Sequence, residues 1–424
     1  MNNLRVTAFQ QEKTGTTSRV WTIIDSQELW FESDDVDLEP SVEALATLFL
    51  IPALLDKRNL EIEQPVCATW YDNAHKVMDF LNFSWAAHPI EIIAGTKEKT
   101  GSPRSATGLF FTGGVDSFYT FFSIPRPDFL IYLETFDVPS DAETRSRIAR
   151  ERLQKIARAV GSHPITVRTN VKKHPTFAAQ SFTDTHASLL AAVGHLLAPH
   201  IVSATIAPSW YKGHHMVFGS NWQLDPLWSS ARLQIIHGEN SFHRIDRVKA
   251  IADKALVQDN LHVCFESYNC SRCEKCVRTM LELHQAGKLA EFKVFDHGKP
   301  IWQAIDNLPR VLQPVLFEPA LKNNPTPELE KALRHLFRRT SLAARAIENQ
   351  LKQRRYVDEQ FPKIQEGLDN ALHHYALLQE EHKRLADDYA LIVGNLPIQK
   401  SIRLVRKVAK KLRGANANRG ARHE

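Results

Sequence analysis

"FFTGGVDSFYTFF", residues 110–122, sets a glycine pair and an Asp-Ser pair between two apolar runs. "GLFFT" reads as a buried strand and "SFYTFFSI" as the start of a helix, so "TGGVD" is a tight turn at the strand's carboxyl end, where open α/β sheets bind ligands. Gly113 and Gly114 admit backbone conformations closed to other residues and let consecutive N–H groups approach an anion. The helix that follows aims its N-terminal N–H groups and positive dipole end at the same point. Thr112 and Ser117 add hydroxyl groups. A bare carboxylate at Asp116 repels phosphate, so this residue calls for a magnesium ion or a hydrogen-bond donor between the two.

Working outward, residues 106–320 alternate short β-branched or aromatic runs with amphipathic helices. "GLFFT", "DFLIYLETF", "PITVRTN", "HIVSATIA", "LQIIHG" and "LHVCF" are the expected strands. "DAETRSRIARERLQKIARAVG", "DTHASLLAAVGHLLA" and "FHRIDRVKAIADKAL" are the expected crossover helices. That alternation predicts an α/β fold: a doubly wound, mainly parallel sheet with helices on both faces. Residues 1–105 read as an N-terminal accessory α+β domain, with strands "RVWTIID" and "ELWFESD" and a helix capped by Ser41 that Pro52 bends or ends. Residues 321–395 read as a C-terminal helical arm, a hairpin or coiled coil. There Leu368, Leu372, Tyr375, Leu378, His382, Leu385 and Tyr389 form an apolar stripe suited to a homodimer contact. Residues 396–424 form a basic amphipathic tail, in which Lys400, Arg403, Arg406, Lys407, Lys410, Lys411 and Arg413 flank Ile398, Ile402, Val405, Val408 and Leu412. Such a tail suits an anionic membrane surface, nucleic-acid phosphates, or packing on its own protein.

The chain has 424 residues, with 53 basic and 48 acidic side chains, so two or three packed units are expected and overall charge selects no partner. The opening lacks a secretory signal and the apolar stretches are too short to span a bilayer, so a cytoplasmic location is expected. Four of the five cysteines fall within Cys264–Cys276, which favours a metal over disulfides. Cys264 closes the "LHVCF" strand, while Cys270, Cys273 and Cys276 stand at two-residue gaps and run into the helix "KCVRTMLEL". Four thiolates so placed can close a tetrahedron round a structural zinc ion; an iron–sulfur cluster or plain buried thiols are the competing readings. Cys67 lies outside the motif and reads as a core cysteine. His214, His215 and His237 fall in loops near strand ends, where a general base could sit.

Thr112-Gly113-Gly114-Val115-Asp116-Ser117 resembles the PP-loop of the ATP pyrophosphatase superfamily, with Thr in place of the usual first Ser. The resemblance implies a Rossmann-like core of the adenine nucleotide alpha hydrolase type. It implies that Phe111 through Ser117 grip the pyrophosphate of ATP with Mg2+, and that Asp116 and Ser117 serve catalysis. With the cysteine knuckle, residues 108–290 look like the 7-cyano-7-deazaguanine synthase branch, in which zinc is structural and ATP activates a carboxylate before nitrogen attack. By that resemblance Gly219, Asn221 and Asp225 of "FGSNWQLDPLW" are substrate-side candidates; the alternative is an Asn/Asp turn. "DPLWSSARLQ" stands where the branch has Tyr-Pro-Asp-Cys-Arg, so a different acceptor is expected. The resulting expectation is an ATP-dependent C–N ligase with cofactors ATP, Mg2+ and Zn2+, acting on a small-molecule carboxylate and on ammonia or an amine. The rivals are a tRNA-thiolase-like base-modifying enzyme and a nucleotide-sensing scaffold.

Overall fold

The structure, a computed structural model, describes residues 3–340 apart from 86, 99–104, 135–142, 213–217, 267, 309–310 and 312–313. The expected helical arm from residue 341 onward and the basic tail lie outside the described residues.

In chain order, β1 (Leu4–Val6), β2 (Gln10–Thr14), β3 (Thr17–Ile24) and β4 (Gln27–Ser33) precede helix α1 (Val42–Leu55). Short strands β5 (Leu60–Ile62) and β6 (Val66–Cys67), helix α2 (Ala68–Trp85), and strands β7 (Ile92–Ile93) and β8 (Thr96–Lys97) lead to β9 (Thr107–Phe110). Then come α3 (Val115–Ser123), β10 (Phe129–Leu133), α4 (Glu143–Val160), β11 (His163–Thr169), α5 (Pro175–Ala178), α6 (Phe182–Leu196), β12 (Ser203–Ile206) and β13 (Gln234–His237). Helices α7 (Arg244–Ile251), α8 (Ala255–Asn260), α9 (Glu274–Gln285), α10 (Ile301–Asp306), α11 (Glu318–Lys322) and α12 (Pro327–Arg339) complete the described chain.

The main sheet has the order β13-β12-β9-β10-β11-β4-β3-β2. Its first five strands are parallel, with Phe129 opposite Gly108 and Ser203 opposite Thr107. From β9 the chain winds one way through β10 and β11, then crosses back to lay β12 on the other side of β9. The carboxyl end of β9 is therefore the switch point at which such sheets open a crevice.

Alternation along the strands feeds two cores. Phe110, Ile131, Ile165 and Val167 face a cluster that includes α1 and α6, whereas Leu109, Leu130 and Tyr132 face one built with α3, α4 and α9. Helices cover both faces, as the strand-helix pattern predicts.

The expected accessory domain does not stand apart. Strand β4 pairs antiparallel with β11, Phe31 opposite Thr169, so β2, β3 and β4 continue the core sheet past its last parallel strand. Helix α1 is buried on nearly every side against α6, which fits an apolar sequence with no polar face. Ser41 caps it by accepting the Ala44 N–H at 3.3 Å, and Pro52 sits in its last turn. The C-terminal boundary also moves. Leu329, Ala332, Leu333 and Leu336 of α12 bury into the second core, so the compact unit extends to Thr340 rather than ending near 320. "LHVCF" forms no strand, because its backbone is drawn into other bonds: the His262 N–H donates to the Gly113 carbonyl and the Val263 N–H to Asn269 Oδ1. Among the described residues, no helix is long and apolar enough to cross a membrane.

His174 fastens the β3 end to this unit. Its Nε2 pairs with the Ile24 carbonyl at 3.0 Å, its ring meets Phe49 edge-on, and burial pulls its pKa below the usual histidine value. The unfolded chain takes up a proton first, so this stabilisation is present above the unfolded pKa of about 6.5 and is lost as pH falls below it. Denaturant midpoints should drop between about pH 7.5 and about pH 5 more steeply for the wild type than for His174→Gln; parallel curves would refute the assignment. Phe31→Ala should cost about 3–5 kcal/mol in the same assay, because its ring fills the joint between hairpin and core.

Candidate functional site

The loop after β9 has the conformation its glycines imply. The Phe111 N–H donates to the Ile131 carbonyl at 2.7 Å, and Gly113 then takes φ +78°, the left-handed region. Gly114 is extended and occupies the N-cap of α3 without any capping side chain. The first-turn N–H groups of α3 are thus left for another acceptor. Phe111 and Val115 are buried in the core behind the loop and shape it rather than present side chains. The Ser117 hydroxyl is buried and turns back to the Gly114 carbonyl at 3.1 Å. Thr112 is exposed, and Asp116 is partly so.

Asp116 meets donors, the second of the two arrangements its place beside a phosphate loop allows. Arg247 Nη1 lies 3.0 Å from its Oδ1 and Arg244 Nη1 lies 3.3 Å from its Oδ2. The Arg247 side chain is only 1% exposed, and its remaining donors reach the carbonyls of Pro208, Trp210 and Phe242. Arg244 also bonds Glu282 at 3.1 Å and Thr279 at 3.2 Å on α9. Burial opposes its charge, but Glu282 and Asp116 hold its pKa above the usual value. Arg278, also on α9, is drawn down to about 10 by burial and by the Arg244 charge, and so stays protonated at neutral pH. Its Nε is buried with no hydrogen-bond partner. Arg152 of α4 brings its Cδ to 3.9 Å from where a Gly113 side chain would begin, and burial lowers its pKa. The guanidinium groups of Arg152, Arg244, Arg247 and Arg278 outnumber the carboxylates of Asp116, Glu282 and Glu274 that act on this cluster. A buried donor left unmade costs about 1–3 kcal/mol, which an anion bonded to it would recover.

The sequence reading missed these arginines. "HRIDR" places Arg244 and Arg247 three apart on a helix, a spacing common on solvated faces, and nothing local says that this face meets the loop.

The four cysteines converge as expected. Cys264 Sγ lies 3.7 Å from Cys273 Sγ, Cys270 Sγ lies 4.0 Å from Cys276 Sγ, and all four sulfurs fall within 4.8 Å of one another. A tetrahedron with metal–sulfur bonds of about 2.3 Å has edges of about 3.8 Å. A disulfide needs about 2.05 Å. The four thiols could therefore hold a metal ion. Cys276 donates to Cys273 and holds that thiol down at about 5, while its own pKa is pushed up by the same contact; burial raises Cys264. The cluster thus gives up its first proton most readily at Cys273, which suits a cation. Cys67 is buried apart from them and accepts the Ala231 N–H at 3.4 Å.

Knuckle and loop are mechanically joined. Helix α9 starts directly after Cys273 and carries Arg278, Thr279 and Glu282, while the His262 N–H, two residues before Cys264, donates to the Gly113 carbonyl at 2.9 Å.

The three substrate-side candidates serve the loop's own geometry. A Cβ on Gly219 would stand 1.8 Å from the Asp184 carbonyl oxygen, so only glycine fits against the start of α6. Asn221 Oδ1 accepts the N–H groups of Gln223 and Leu224, and its Nδ2 donates to the Phe218 carbonyl, which is an Asn turn. Asp225 is fully buried and accepts from the Ser220 hydroxyl at 2.9 Å, the Asn221 N–H at 3.3 Å and His237 Nδ1 at 2.7 Å. Of the three histidines singled out, His237 is thus tied to Asp225; His214 and His215 lie outside the described residues.

Comparison with family models, with curated proteins and with solved structures returns no match for this chain. The functional reading therefore stands on the geometry and on the loop and knuckle motifs.

Because α9 starts inside the knuckle, a metal ion bound there would hold the helix, and chelating it from metal-loaded protein should lower Tm by at least about 5 °C. It should also speed hydrogen exchange across Glu274–Gln285. Exchange unchanged by chelation would mean that the cysteines hold the helix without metal.

Proposed function

We propose that the protein is an ATP-dependent, adenylate-forming ligase of the PP-loop type, on a Rossmann-like core of the adenine nucleotide alpha hydrolase class. Thr112 and the N–H groups opening α3, with Arg278, Arg244 and Arg152, would bind the β- and γ-phosphates. Asp116 would hold Arg244 and Arg247 in place. A substrate carboxylate would attack the α-phosphorus, giving an acyl-adenylate and pyrophosphate. Ammonia or an amine would then take the acyl group, and AMP would leave. Magnesium on the phosphates would add positive charge as pyrophosphate departs. Zinc in the four-cysteine knuckle would be structural, since four protein sulfurs leave no position for water.

The observation that carries this reading is the buried Nε of Arg278, which no protein group satisfies and whose charge interacts with Asp116 in the first turn of the uncapped helix at the sheet's switch point. Two features support an acceptor other than a deazaguanine carboxylate: Asp225 is turned inward, and the loop after it lacks the branch's motif.

A charge-assisted hydrogen bond contributes about 1.5–3 kcal/mol, so Arg278→Gln should weaken ATP binding about tenfold to a hundredfold. Its Tm should not fall, because no protein group loses a bond at Nε. Wild-type protein with Mg-ATP and a panel of small carboxylates should release pyrophosphate and AMP in equal amounts with its acceptor. Unchanged ATP affinity in Arg278→Gln, or ADP and phosphate as products, would contradict the proposal. ATP binding with no turnover on any carboxylate would favour the sensor reading.

A further inference from the structure

The cysteine knuckle reaches the phosphate loop by two separate arms. The first is the strap of chain that leads into Cys264. Its His262 N–H donates to the Gly113 carbonyl at 2.9 Å, and the His262 carbonyl lies 3.6 Å from where a Gly114 side chain would begin. The strap therefore lies along both glycines of the turn. Asn269, next to Cys270, clamps it from the knuckle side. The Asn269 Oδ1 accepts the Val263 N–H at 2.9 Å, and its Nδ2 donates to the Leu261 carbonyl at 2.8 Å.

The second arm is α9. Cys273 is its N-cap residue and Cys276 stands in its first turn. Arg278 follows Cys276 by about 3 Å along the helix axis, so a shift of the helix start carries that guanidinium with it. Thr279 and Glu282 of the same helix bond Arg244, which in turn bonds Asp116 at the start of α3. Cys264 thus belongs to the strap, whereas Cys273 and Cys276 belong to the helix. Between the two arms, the Cys264 and Cys273 thiols meet at 3.7 Å, and an S–H···S contact is a weak hydrogen bond. Four bonds to one ion would replace it with a rigid joint. That joint would fix the Gly113 carbonyl relative to Arg278 and Arg244.

We propose that the knuckle regulates the phosphate loop: metal held by Cys264, Cys270, Cys273 and Cys276 raises the affinity for ATP, and bound nucleotide raises the affinity for the metal by the same factor. The inference rests on the ATP-binding reading and adds the regulation of that site. Reciprocity is required by linkage, because both ligands favour the same arrangement of strap and helix. Couplings of this kind run from about fivefold to about 150-fold. The ion remains closed to water within its four sulfurs and acts on the nucleotide through the strap and α9 alone. Loss of the metal would therefore release ATP without any change at the residues that touch it.

The test titrates α,β-methylene-ATP, in excess Mg2+, into the full chain loaded with Zn2+ and into the same chain stripped by a zinc chelator and dialysed. The stripped protein should bind at least about tenfold more weakly. In the reverse experiment a competing chelator is titrated against loaded protein, and saturating nucleotide should raise the Zn2+ affinity by the same factor. Two variants keep all four cysteines and cut one arm each: Asn269→Ala frees the strap, and Thr279→Val removes a bond from α9 to Arg244. Each should retain the Co2+–thiolate absorption of a filled knuckle while the coupling factor falls at least about threefold. Coupling that survives both variants in full would come from global unfolding on metal loss and would overturn the proposal. Equal nucleotide affinity in loaded and stripped protein would overturn this inference alone. Loaded protein that binds no nucleotide would remove the ligase reading and this inference with it.

Discussion

The guanidinium of Arg247, buried to 1% exposure, is held by the Asp116 carboxylate and three backbone carbonyls. Removing a charge from water costs several kcal/mol unless it is paired and its donors are filled. That requirement fixes where α3, α7 and the loop after β12 can sit, because each supplies part of the cage. Arg244 shares the other oxygen of Asp116 and passes the constraint to Glu282 and Thr279 of α9. The loop conformation, the arginine cluster and the helix from the cysteine knuckle therefore form one connected unit. Asp116, in the first turn of the uncapped α3, is the carboxylate that ties it to the loop.

The same connectivity explains why a knuckle so rich in sulfur lies where it does. Its sulfurs are spaced for a tetrahedral ion, and the helix that starts inside it carries Arg278, whose buried Nε no protein group satisfies. The segment leading into the knuckle gives up strand pairing to bond the Gly113 carbonyl. A local departure from the expected strand is thus what couples the two motifs.

Much of this was legible in the residues. The diglycine turn, the strands from β9 to β13 and the converging cysteines each carry a local signal, in glycine conformation, apolar alternation or ligand spacing. What escaped depends on contacts between distant segments. The edges of β4 and β11 carry no sequence mark that they pair, so residues 1–105 read as a separate domain although Phe31 faces Thr169. Arg244 and Arg247 look like any helix-surface cations until the fold buries one of them. Asn221 and Asp225 read as substrate groups or as a turn, and the structure gives the turn, with Asp225 turned inward to orient His237.

The most direct test is a crystal structure of the full chain with α,β-methylene-ATP, whose bridging carbon blocks loss of pyrophosphate. The account predicts the β- and γ-phosphates within about 3 Å of the N–H groups opening α3 and of the Arg278 guanidinium. A triphosphate bound elsewhere, or Arg278 still without a partner beside an empty loop, would contradict it.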